Sequence, residues 1–118
     1  MSVSQPIIAV LATMNTKSKE AQFIASVLER AGVAPLIVDL SMKPHDLPAA
    51  DITGDQVARL ADTSWQALNR YARQEAAAVM VKGGIKLLHE KHTNGDIAGA
   101  IGIGGANGTN VVLSLIHI

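Results

Sequence analysis

The first regular feature along the chain is an unbroken apolar run, Pro6 to Thr13 (PIIAVLAT), rich in aliphatic and β-branched residues and too short for a typical helix. A run that is apolar at every position leaves no face for solvent. It therefore predicts a strand buried on both sides, as in the centre of a parallel sheet. The spacing then becomes helical. In NTKSKEAQFIASVLERAG, Ala21, Ile24, Val27, Leu28 and Ala31 share one stripe, while Lys17, Lys19, Glu20, Glu29 and Arg30 fall mostly elsewhere. Gly32 supplies the stop. A second apolar run, Ala34 to Leu40, carries Asp39 at its end and completes a β-α-β unit, for which a right-handed crossover is expected.

Residues 41–48 (SMKPHDLP) are punctuated by proline and read as loop. In DITGDQVARLA, Thr53 with Gln56 three positions on has the spacing of a capping box, which predicts a short helix. A longer helix is expected within SWQALNRYARQEAAAVMVKGGIKLLHEKH, with Leu68, Ala72, Ala76, Val79, Met80, Ile85 and Leu88 on its apolar side. Gly83-Gly84 interrupts it, and each glycine costs about 1 kcal/mol relative to alanine in a helix interior. A kink or a close approach to the sheet would account for the pair. TNGD then makes a turn, and Ile97 to Ile103 is read as a third buried strand. This alternation is that of an α/β protein. The expected fold is a Rossmann-like three-layer fragment with a parallel sheet, truncated after the third main strand. Three strands leave sheet surface that further helices would have to bury.

Composition narrows the function classes. At 118 residues there is room for one domain at most. Ten basic residues balance ten acidic ones, which argues against nucleic acid or an anionic membrane as partner. Aromatic residues make up only 3%, too few for a base-stacking platform. With no cysteine, disulfides, thiolate metal sites and cysteine catalysis are excluded. The N-terminus lacks a basic region before its apolar run, and no stretch approaches the roughly 20 apolar residues of a membrane span. A cytoplasmic protein is the expectation.

The last six residues, LSLIHI, are what six codons of a common transposase sequencing adapter (CTG TCT CTT ATA CAC ATC) translate to in frame. Residues 113–118, including His117, are therefore read as an adapter-derived tail, and residues 1–112 as the N-terminal part of a nucleotide-binding domain. A native amphipathic end is the alternative.

Two loops carry candidate chemistry. GAIGIGGANGTN, residues 99–110, follows an apolar run with glycines. Exposed backbone N–H groups between a strand and a following helix attract anions, and glycine keeps side chains out of the way. The dinucleotide fingerprint fails here, because Asn107 stands where its third glycine belongs. The P-loop fails too, because Gly108-Thr109-Asn110 has no lysine. Any grip on phosphate would come from backbone at Gly104, Gly105 and Gly108, helped by the Asn107 amide and the Thr109 hydroxyl. A tight structural turn is the competing reading. The second loop, ATMNTK, offers Thr13, Asn15, Thr16 and Lys17. Its plainer reading is an N-cap at Asn15 or Thr16 with a solvated lysine. In a parallel sheet both loops lie at the carboxyl edge, where open α/β sheets bind ligands. Asp39 ends the second strand, where a ribose-binding acid often sits; a solvated carboxylate is the alternative. His89 and His92 lie three apart near a helix end and could share a metal, but the helix dipole explains them more simply, and no metal site is predicted. Arg73 and Glu75 read as a solvated helix face. No Ser-His-Asp order, carboxylate pair or HExxH motif appears.

Taken together, ATMNTKSKE, the Arg73, Glu75, Ala76 and Met80 of RQEAAAVM, and GAIGIGGANGT resemble an uncharacterised protein family that includes the N-terminal ATP-binding domain of a plant tobamovirus-resistance protein. The family patterns are AT-x-DTK-x-x-E, Arg-x-Glu-Ala-x-x-x-Met and GVIGLGGSGGT, and order and spacing agree over nearly all of residues 6–112. Asn15 replaces the usual aspartate, and Ala106-Asn107 replaces Ser-Gly. The resemblance implies a Rossmann-like first domain of a two-domain protein, with this chain about its first quarter. It also implies ATP as the cofactor, a missing C-terminal domain of the same protein as partner, and room for a homo-oligomer at full length. It assigns no reaction. The leading reading is a nucleotide-binding domain holding a phosphate ligand between the two loops. An enzyme acting on a small carboxylate or phosphorylated metabolite at the same edge, and a protein-interaction domain, are the alternatives.

Overall fold

The computed structural model describes residues 5–42 and 50–103. Strand β1 (Ile7–Ala12) is followed by helix α1 (Met14–Arg30), strand β2 (Ala34–Asp39), helices α2 (Gly54–Leu60), α3 (Trp65–Leu68) and α4 (Arg73–Thr93), and strand β3 (Gly99–Ile103). The three strands form one parallel sheet in the order β2-β1-β3. Helix α1 packs on one face of the sheet, and α2 with α4 on the other, giving the expected three-layer α/β arrangement.

The apolar run of β1 is central because both its faces have partners. Ala9 and Leu11 join Val38, Val57, Met80 and Leu87 on the α4 side, whereas Val10 and Ala12 join Met14 and Ala21 beneath α1. Each large aliphatic side chain buried this way contributes about 1.5–3 kcal/mol relative to leaving it in water.

The first helix stops at the predicted glycine. Gly32 has φ +80, a region without steric penalty only for glycine. With the Gly32 and Val33 N–H groups donating to the Glu29 and Leu28 carbonyls, the end is a Schellman cap. Gly95 closes α4 in the same way, through N–H groups of Gly95 and Asp96 on the His92 and Lys91 carbonyls. The capping box is also present: the Gln56 N–H donates to Thr53 Oγ1 (3.2 Å), and the Thr53 N–H donates to the Gln56 side chain (2.8 Å).

Three expectations need correction. The long helix is split into α3 and α4, so Leu68 is buried on α3 while Ala72 is the exposed residue before α4. The break falls at residues 69–72, where the Arg70 and Tyr71 N–H groups turn back onto the Ala67 and Leu68 carbonyls and Ala72 takes an extended backbone. Gly83-Gly84 neither interrupts nor ends α4. A Cβ on Gly83 would run into the Val57 carbonyl, so the close approach is to α2 and not to the sheet. Finally, β3 begins at Gly99 and is mostly exposed, because no element among the described residues lies beyond it. The same uncovered flank explains why Val27 and Ala31, placed on the apolar stripe of α1, are exposed: α1 lies chiefly over β1 and β2.

Asp55 ties α2 to α3. One carboxylate oxygen accepts the Trp65 N–H (2.9 Å) and the other the Arg59 Nε–H (2.8 Å). The Trp65 bond first, and the Arg59 bond next, hold its pKa below the ordinary 3.8. A group depressed in the folded state stabilises fully above its unfolded pKa and loses that contribution as pH falls through the folded value. Acid titration of stability is thus expected to show a drop below about pH 4 that is smaller in Asp55→Asn, the neutral variant being less stable at pH 7. Identical acid limbs would refute the assignment.

Candidate functional site

The strands set the geometry of the carboxyl edge. Ala12 pairs with Asp39 of β2 and with Ile103 of β3, so the three strands reach this edge level with one another. Thr13 and the first turn of α1 leave it from β1, Ser41 leaves it from β2, and Ile103 ends β3 there. Gly104, Gly105, Asn107, Gly108 and Thr109 lie outside the described residues, as does the segment 113–118.

The remaining predicted site residues come together at this edge, but the plain structural readings of three of them need correction. Neither Asn15 nor Thr16 caps α1. The cap position is Thr13, with extended backbone and no side-chain cap bond; Asn15 and Thr16 lie in the first turn. The helix finds its acceptors elsewhere. The Met14 N–H donates to Asp39 Oδ1 (3.1 Å), the Asn15 N–H to Ser41 Oγ (3.0 Å), and the Thr16 and Lys17 N–H groups to the Thr13 carbonyl (2.9 and 2.8 Å). The Met14, Asn15 and Thr16 amides are thus occupied, and the Lys17 N–H makes the first regular i→i−4 bond of the helix.

Asp39 is not solvated. It is 2% exposed, and its Oδ1 also accepts the Ser41 N–H (2.8 Å). A carboxylate that close to the start of α1 already meets the positive end of the helix dipole. Its burial and its two backbone donors make it the staple that joins the end of β2 to the start of α1.

Ser41 is the residue that sequence reading passed over. Its hydroxyl donates to Asn15 Oδ1 (3.1 Å), its N–H is held by Asp39, and its carbonyl accepts the Trp65 indole N–H (2.7 Å). Gly54 presses against the same carbonyl and indole, leaving no space for a Cβ. The available signal was the pairing of a strand-end acid with a serine two residues on, which lets both grip one neighbouring helix start.

Three polar side chains remain toward the edge. Thr13 and Thr16 share a hydroxyl–hydroxyl bond (2.9 Å), and the Thr16 hydroxyl also reaches the Thr13 carbonyl (3.2 Å). Lys17 is half-buried where the helix departs from regular geometry (φ −124, ψ 22), one turn into α1. Chemically the described rim offers hydroxyls, an amide and one ammonium group; it offers no unoccupied α1 amide.

His89 and His92 are exposed on α4 beside Gly99, at the start of β3 and hence at the opposite edge. Among the described residues, no group of three or more His, Asp or Glu side chains comes together to hold a metal. No described helix is long and apolar enough to cross a membrane.

Comparison with known proteins places this architecture. Residues 6–117 match the family described as "Uncharacterised protein family (UPF0261) N-terminal domain". A UPF0261 protein of Brucella suis is 33% identical over 116 residues, which is 98% of this chain and 28% of the relative. One from Clostridium tetani is 28% identical over 105 residues, covering 88% of this chain and 26% of its own length. One from Rhizobium meliloti is 31% identical over 106 residues, covering 89% and 26% respectively. The chain therefore spans between a quarter and a third of the length of these relatives. On this evidence, the chain belongs to the UPF0261 family and corresponds to its N-terminal domain.

Proposed function

We propose that this domain binds a nucleotide, ATP or a related phosphate compound, at the carboxyl edge of the sheet. The observation that carries the reading is the shared register of β1 with β3, Ala12 opposite Ile103, which brings the first turn of α1 (Thr13 to Lys17) and the end of β3, from which the glycine-rich sequence continues, to the same edge. Because the first amides of α1 are bonded within the protein, the phosphate is assigned to backbone at Gly104, Gly105 and Gly108 with the Asn107 and Thr109 side chains. Lys17 supplies the countercharge, and Thr13, Asn15 and Thr16 supply hydrogen bonds to the uncharged part of the ligand. Asp39 serves the site by holding the loop in place and does not contact ribose. The resemblance to the plant ATP-binding domain supports the same choice. A C-terminal domain of the longer polypeptide completes the site in this reading.

The test is a melting curve of the full-length protein with and without ATP. A ligand present at 100 times its Kd stabilises by about 2.7 kcal/mol, which a melting temperature registers readily. Stabilisation is expected in the wild type and is expected to be lost in Gly105→Val, whose side chain crowds the backbone. An unchanged melting temperature at millimolar ATP would defeat the proposal.

A further inference from the structure

Ser41 is fixed at every polar atom. Its N–H donates to Asp39 Oδ1 (2.8 Å), its carbonyl accepts the Trp65 indole N–H (2.7 Å), and the residue is 1% exposed. Trp65 is itself held, because its backbone N–H donates to Asp55 (2.9 Å). The Ser41 hydroxyl is used twice. Its oxygen accepts the Asn15 N–H (3.0 Å), and its hydrogen goes to Asn15 Oδ1 (3.1 Å).

This arrangement decides which way the Asn15 amide faces. An asparagine side chain ends in one acceptor and one NH2 donor of nearly the same shape, so its neighbours choose between two orientations. With Oδ1 toward Ser41, the buried hydroxyl is satisfied as donor and as acceptor. The reversed amide would set Nδ2 against the hydroxyl oxygen and take this acceptor from the hydroxyl hydrogen, which burial makes costly. Oδ1 therefore faces inward. Nδ2 faces the rim, where Asn15 is exposed and no acceptor among the described residues takes it up. The neighbouring threonines differ. The Thr16 hydroxyl donates to the Thr13 carbonyl (3.2 Å), so the hydrogen in the Thr13–Thr16 hydroxyl bond (2.9 Å) comes from Thr13. Both hydroxyl hydrogens are engaged within the turn, and the oxygens are left to accept. From Thr13 to Lys17, the side-chain donors that remain are Asn15 Nδ2 and the Lys17 ammonium group.

We propose that Ser41 is a positioning residue of the nucleotide site, and that through it Asn15 determines specificity by presenting a donor to an acceptor atom of the ligand. A metal ion or a donor-only group is refused at this position, because the amide NH2 offers only hydrogens. The inference rests on the nucleotide reading above and adds the direction of the hydrogen bond at residue 15.

ATP affinity of the full-length protein, measured by calorimetric titration with magnesium present, tests it through the exposed Asn15 side chain. Asn15→Ala removes the donor and is expected to weaken ATP about three- to tenfold, the range of one net hydrogen bond. Asn15→Asp keeps an oxygen for Ser41 but puts a charged acceptor in place of Nδ2, so a larger loss, at least about tenfold, is expected. Wild-type affinity in Asn15→Ala, or tighter binding by Asn15→Asp, would overturn the inference. Ser41→Ala is expected to weaken ATP in the wild-type background and to add little in Asn15→Ala, since it acts through that amide. An equal loss in both backgrounds would refute the positioning role, and Ser41→Cys, a weaker donor, serves in the same cycle where Ser41→Ala does not fold. Inorganic triphosphate locates the acceptor: a loss confined to ATP places it on the nucleoside, an equal loss with triphosphate on the phosphates, and both uphold the donor. A wild type that binds no ATP would remove the nucleotide reading and this inference together, whereas wild-type binding with an indifferent Asn15→Ala removes the inference alone.

Discussion

Replacing Gly83 by alanine is expected to destabilise the protein by about 2 kcal/mol, although alanine is the better helix former by about 1 kcal/mol. The reason is the α2–α4 contact. A Cβ at residue 83 would overlap the Val57 carbonyl, and a backbone atom cannot turn aside as the end of a side chain can. The helices must separate, loosening the contacts of Val57, Ala58 and Met80, all of which are buried. The informative control is Ala78→Gly, on the exposed side of the same helix. There the opposite change should cost about 1 kcal/mol through propensity alone. Urea unfolding of both variants distinguishes packing from propensity. Only packing makes the two opposite substitutions destabilise alike, and a Gly83→Ala protein more stable than wild type would contradict the contact.

Asp39→Ala is expected to cost about 3 kcal/mol, since each buried donor left without its acceptor costs roughly 1–3 kcal/mol. The Met14 and Ser41 amides would both lose Oδ1. Asp39→Asn keeps one carbonyl oxygen in nearly the same place and is expected to cost less, because geometry survives while charge is lost. The same pair of variants separates the staple from a ligand contact. Denaturation midpoints should fall in the order wild type, Asn, Ala. If the Ala variant changes stability by less than about 0.5 kcal/mol, the value typical of surface positions, the carboxylate is not the acceptor described.

The staple also shows why the site was only partly legible. ATMNTK and the strand-end acid were found correctly as polar residues at one edge, because strand–helix alternation fixes which loops share an edge. What Asp39 does there was not legible. Ribose contact and solvation both assume an outward-facing carboxylate, and only the position of α1 against β2 turns it onto the Met14 N–H. The same holds for Ser41, whose importance comes from Asn15, Asp39 and Trp65, residues two to 26 positions away.

Local rules were dependable where the interaction is local. Gly32 ends α1, and Thr53 with Gln56 starts α2, because the groups involved lie within one turn of each other. They failed where a distant surface decides. Gly83 reads as a break in isolation and as a contact once α2 lies against it.

By itself the sequence determined the three-layer α/β arrangement, the helix stops and the edge at which polar loops gather, since hydrophobic period and capping chemistry act over a few residues. The tertiary structure alone decided that the start of α1 is held from the end of β2, that Gly83 seats one helix on another, and that β3 is the outer strand among the described residues. Those outcomes depend on which backbone groups and surfaces meet across the fold, and burial makes each such meeting binding: an amide or apolar side chain must find its partner in space, whatever its neighbours in sequence.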